Sequence, residues 1–129
     1  MPKFNLVTTI EDPWLPDEAL ALGLRTRYLG TRIGYDLVPR SPMHLYASVP
    51  DPLPDQNDHT LSLEVNRSCN MVVLEDASPE GAAEIMVWIV RTFPAPPGAE
   101  IMIWSDDESL TLDPETVTVT DILVHFDYD

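Results

Sequence analysis

The side chains that could do chemistry in this chain are few. Cys69 is the single cysteine, so neither an internal disulfide nor a thiolate metal cluster can be assembled within one chain. Arg67 stands close before it, and a nearby guanidinium lowers a thiol's pKa toward that of a nucleophile. A small apolar side chain in a turn is the plainer reading of the same residue. The candidate bases are His44, His59 and His125. No spacing links any of them to Cys69 or to a serine as a nucleophile and its base, so no catalytic residue is assigned. His125 and Asp127 are alternate residues that would stand about 7 Å apart on one face of a strand, with Asp121 and Asp129 beyond. Two ligands in line do not make a metal site. Asp106-Asp107-Glu108 lacks the regularly spaced oxygens and the turn glycine of a calcium loop. The glycines, at 23, 30, 34, 81 and 98, build no phosphate-cradling loop. No metal and no cofactor are expected.

What remains is charge. From Thr92 to the C-terminus the acids are Glu100, Asp106, Asp107, Glu108, Asp113, Glu115, Asp121, Asp127 and Asp129, with no Lys or Arg. Residues 1–50 are neutral, 51–91 carry a net −6 and 92–129 a net −9, which together make the formal −15. Acidity kept only for solubility, or for life in high salt, has no reason to gather at one end. Such a chain is repelled by phosphates, so direct nucleic-acid binding is not expected. Mimicry of DNA would need carboxylates at regular spacing, and positions 121, 127 and 129 supply few. Trp104 leads straight into Asp106, Asp107 and Glu108. An aromatic rimmed by carboxylates resembles the anchor of an interface.

The elements that must position these residues follow from periodicity. KFNLVTTI is a first strand, and Pro16 opens a helix that runs to about Leu29 with Gly30 as its stop. Ala19, Leu22, Thr26 and Leu29 mark one apolar stripe of that helix and Leu20, Leu24 and Tyr28 another, so it should be largely covered. Two proline-bounded extended pieces, 34–38 and 43–49, belong at a sheet edge, and 51–58 is a loop. HTLSLEV and NMVVLED form a hairpin with Cys69 near its tip. Ser78 caps a second helix whose buried stripe is Ala82, Ile85, Met86, Ile89, Val90 and Phe93. Val87 and Trp88 fall off that stripe and must meet another part of the fold or a partner. AEIMIW, apolar on both faces, belongs at a central position. SLTLD follows as a strand, then the run TVTVTDILVHFDYD. Its apolar phase changes from odd to even positions, which predicts a bulge or break at Thr120-Asp121 and an exposed face of Asp121, Leu123, His125, Asp127 and Asp129.

The order β-α-β-β-β-β-α-β-β-β is that of an α+β domain, with two helices packed on one mostly antiparallel sheet of about five to seven strands. Hydrophobic residues make up 44% of the 129, enough for one core, so a single domain spanning 1–129 is expected. No apolar run approaches a membrane span and the N-terminus lacks the features of a signal peptide, which favours the cytoplasm. Immunity proteins that neutralise bacterial nuclease toxins, and phage proteins that neutralise host defences, share this size and charge, an analogy of physics that no motif carries. The expected function is therefore a small acidic, non-enzymatic binding protein that inhibits a basic partner, a nucleic-acid-acting toxin or defence protein being the natural target. Partner contact is expected at Trp104, Asp106, Asp107, Glu108, Asp121 and Asp127. The alternatives are a structural or assembly subunit that forms homo-oligomers through Trp88, and a small metal-dependent hydrolase. The chain is expected to be a monomer or a homodimer.

Overall fold

Strands form where β-branched and aromatic residues alternate with polar ones, and the computed structural model describes residues 3–38, 41–52 and 59–126. Strands β1 (Phe4–Thr8), β2 (Arg32–Tyr35), β3 (Met43–Pro50), β4 (Thr60–Asn66), β5 (Met71–Glu75), β6 (Ile101–Ser105) and β7 (Glu108–Leu112) make one antiparallel sheet in the order β2-β3-β4-β5-β1-β6-β7. Helices α1 (Asp17–Arg27), α2 (Pro79–Thr92) and α3 (Val119–His125) complete an α+β fold. Both β5 and β6 pair with β1, so α2 carries the chain over the central strand. No helix among the described residues is long and apolar enough to cross a membrane. Pro39, Arg40, Pro54 and most of the 51–58 loop lie outside the described residues.

Alternation decides which side of the sheet is covered. Phe4 and Leu6, Leu45 and Val49, Leu61, Leu63 and Val65, Val72 and Leu74, and Ile101 and Ile103 point to one face and are almost wholly buried. Each such Leu or Ile contributes roughly 1.5–3 kcal/mol of transfer free energy. The apolar stripe of α2 packs onto them, opened by Ser78, whose hydroxyl accepts from Gly81 N at 3.0 Å. Trp88 and Val87 meet another part of the fold. The Trp88 ring stands edge-on to Tyr28 and Phe93 and lies over Gly23, where an added Cβ would come within 2.7 Å of it. Helix α1 buries only Leu20, Ala21 and Leu24 before capping at Tyr28. The stripe with Leu22 and Leu29 is exposed, 66% and 81%, so α1 buries only one of its two apolar stripes.

Three expectations are corrected. Of the two proline-bounded pieces only β2 is at the edge; β3 is paired with both β2 and β4, since Pro42 precedes it and Pro50 stands at its end rather than inside it. Strand β6 is paired on both sides, yet only its Ile101–Ile103 face is covered, and Trp104 on the other is exposed. The expected last strand is α3. The Thr118 hydroxyl accepts from Asp121 N at 3.1 Å while Asp121 Oδ2 accepts from Thr118 N at 3.0 Å, a reciprocal cap that closes the first turn. Helical spacing then buries Ile122 and Phe126 on one side and sets Phe126 edge-on to Phe4. The odd-to-even change of phase, read as a break in a strand, is the passage from Val117 into this helix. Asp121 and His125 stay one turn apart, but Leu123 turns toward the core.

Candidate partner-binding surface

The β6–β7 hairpin turns on two residues, Asp106 and Asp107, between the paired Ser105 and Glu108. Asp106 holds φ 52, a left-handed conformation that a short polar side chain tolerates. Across the sheet the pair registers set Gly34, Tyr46, Glu64, Val73, Asn5, Trp104 and Ser109 in one row on the uncovered face. Trp104 is 42% exposed in this row, immediately before the acidic turn. Tyr46 shares the face four strand spacings away, about 19 Å.

The hairpin therefore brings Trp104, Asp106, Asp107 and Glu108 to one corner, with Glu108 two residues before Leu110 on β7 and so on the helix-covered side rather than on the face of Trp104. Asp121 is not with them. It lines a cavity with Leu110 and Leu112, whose side chains alternate with Ser109 and Thr111, so it stands on the helix-covered side opposite Trp104. Asp127 and Asp129 lie outside the described residues. The bases of the N-terminal half are remote: Arg32 is on the far edge strand β2, and Arg25 and Arg27 end α1. Lys3 is nearer and pairs with Glu75 at 3.6 Å, while Arg91 reaches the C-terminal segment by donating to Val117 O at 2.5 Å.

Sequence spacing missed two polar clusters, because each is assembled from residues far apart in the chain. At one end of the sheet, Cys69 closes the β4–β5 turn at φ 58 and its carbonyl accepts from Trp14 N and Leu15 N. Its thiol donates to Asp17 Oδ1 at 3.2 Å, and Asp17 Oδ2 lies 2.6 Å from His44 Nε2. Arg67 lies 3.4 Å from His44 Nδ1, which leaves Nε2 to carry the proton toward Asp17. The carboxylate thus sits between thiol and imidazole, the wrong order for a nucleophile activated by histidine. Arg67 does not activate Cys69 either, since its guanidinium donates to the carbonyls of Ser41, Asp36 and Val38. Burial first, then the hydrogen bond to Asp17 and that carboxylate's charge, push the thiol up to about 11.

At the opposite end the buried Asp51 accepts from Ser78 N at 3.0 Å and from the Ser78 hydroxyl at 2.9 Å, with His59 Nε2 at 3.9 Å. This network extends the cap of α2. His59 also bonds Asp76 O, and His125 Nε2 donates to Ser109 O at 2.7 Å. Among the described residues no three His, Cys, Asp or Glu side chains are placed to hold a metal ion. A hollow of about 340 Å³ on the uncovered face, lined by Arg32, Tyr46, Ser48, Thr60, Ser62 and Asp76, occupies the corner opposite the acidic hairpin. Comparison with protein-family models, with curated proteins and with solved structures found no match.

Proposed function

We propose that this chain is a small acidic binding protein that inhibits a basic partner protein, captured at the β6–β7 corner. One observation carries the reading: Trp104 stands exposed on the uncovered face of the sheet, joined through Ser105 to the carboxylates of Asp106, Asp107 and Glu108. An exposed indole beside a cluster of like charge suits a target with an apolar spot inside a cationic surface, as nucleic-acid-acting proteins present. The carboxylates steer the encounter and the ring slows departure. Asp121, on the other side of the sheet, is not part of the Trp104 corner. A homo-oligomer held through Trp88 draws no support, because that ring is engaged by Gly23, Tyr28 and Phe93. Among the described residues no cluster of His, Cys, Asp or Glu side chains supports the alternative of a small metal-dependent hydrolase.

The test uses the immobilised chain as bait for lysate proteins at low salt, followed by salt-step elution. Reversal of Asp106, Asp107 and Glu108 to lysine should abolish capture of basic species and slow association about ten- to a hundredfold. Reversal of the exposed Glu11, Asp12 and Glu18 changes net charge equally at another place and should leave capture intact. Equal loss in both variants, or loss in neither, refutes the proposal.

A further inference from the structure

Strand β7 ends the sheet order, and among the described residues no strand lies beyond it. The register tells which of its backbone groups face outward. Ser105 and Glu108 flank a two-residue turn, so they must be a mutually hydrogen-bonded pair; the alternative pattern would need a bond between the adjacent Asp106 and Asp107. Alternation then turns the N–H and C=O of Ser109 and Thr111 away from β6. The bond from His125 Nε2 to Ser109 O agrees with that direction. Ser109 N–H and both backbone groups of Thr111 consequently point outward from the sheet edge.

Beside them runs a cavity of about 220 Å³, with Leu110, Leu112 and Val117 as its apolar wall and Asp113 and Asp121 at its polar rim. We infer that this edge is a strand-addition site for an extended, lysine- or arginine-bearing segment of the partner, an inference that rests on the proposed capture of a basic protein. An added strand takes its ladder bonds from Ser109 and Thr111, lays an aliphatic stem over Leu110 and Leu112, and sets its cationic head at Asp113 or Asp121. Charge selects the occupant. A second copy of this chain, pairing β7 against β7, would bring the Glu108 and Asp113 carboxylates of the two copies together, and facing like charges destabilise a strand pair. A basic segment meets the same acids as partners. The inference also gives Asp121 a role, as part of a second contact on the helix side of the hairpin.

The probe is a capped heptapeptide alternating lysine and valine, added at low salt to the isotope-labelled full chain, with amide hydrogen exchange as the readout. Exchange at Ser109 and Thr111 should slow at least about tenfold, while Leu110 and Leu112, whose amides face β6, stay as they were. A peptide with proline in place of valine keeps the charge and cannot build a ladder; it should bind about tenfold more weakly, the worth of one or two hydrogen bonds. The same factor is expected for Thr111→Pro, which removes an outward donor and no bond to β6. Should that variant unfold, Asp113→Lys keeps the strand and should repel the lysine peptide. Equal binding of the two peptides, or full binding by Asp113→Lys, overturns the inference. If Thr111→Pro folds and still captures lysate proteins while the hairpin reversal does not, the strand-addition site fails and the proposed function stands.

Discussion

The Asp17–Cys69 contact offers a direct chemical test of the geometry at the β4–β5 turn. Burial and the Asp17 carboxylate raise the Cys69 thiol from 9.0 to about 11. A rise of two units leaves about a hundredfold less thiolate at pH 8 than in the unfolded chain. A more basic thiolate is intrinsically the better nucleophile, with a Brønsted slope near 0.4–0.5, which returns about a factor of ten. Reaction with an aromatic disulfide reagent at pH 8 should therefore be about ten- to a hundredfold slower in the native chain than in urea. The rate should keep climbing with pH past 9 toward 11 instead of levelling off. Asp17→Asn removes the negative charge and leaves the burial, so the rate rises several-fold and stays below that of the unfolded chain. Proton linkage fixes the sign for stability. The native thiol holds its proton to higher pH, so its contribution is complete below about 9 and is lost as pH rises to about 11. Solvent around the half-exposed sulfur keeps that slope shallow. A native thiol that reacts at the rate of the unfolded chain at pH 8 refutes the arrangement.

Two substitutions probe the packing that the functional reading assumes. Gly23→Ala forces a Cβ against the Trp88 ring and should cost about 1–3 kcal/mol in urea unfolding; no loss would mean that α1 does not press on Trp88. Thr118→Ala removes the hydroxyl that caps α3 and should cost about 1 kcal/mol, with the loss of helical chemical shifts concentrated in 119–125. Extended shifts in the parent chain over those residues would restore the strand and detach Asp121 from the β7 groove.

Legibility in the sequence tracked how local the determining physics was. The α2 stripe, its Ser78 cap and the β4–β5 hairpin were readable because each rests on neighbours a few residues apart. α3 was not, since Val117, Val119 and their threonines have the composition of a strand, although the Thr118–Asp121 spacing of a capping box was visible. The exposed stripe of α1 was misjudged because periodicity cannot tell which of two apolar stripes is covered. Trp104 and the acidic turn lie together because they are contiguous in the chain. The Asp17–His44–Cys69 and Asp51–Ser78–His59 clusters were illegible, since strand order alone makes neighbours of residues that far apart in the chain.

Strand order also converts the gradient of charge along the chain into one across the molecule. Arg32 on β2 and the acidic hairpin of β6 and β7 stand at opposite edges, up to six strand spacings or about 29 Å apart. The screening length at physiological salt is about 8 Å, so the far edge does not neutralise the hairpin. Net charge is then the wrong variable for recognition. A solubilising role would make every exposed carboxylate interchangeable, because only their sum matters to self-repulsion in solution. Capture makes them unequal, since the hairpin acids lie beside the Trp104 anchor and Glu11, Asp12 and Glu18 do not. Reversing the same number of charges at the two places separates these roles whatever the partner is, and inequality between the two variants is what the fold requires of a binding protein built this way.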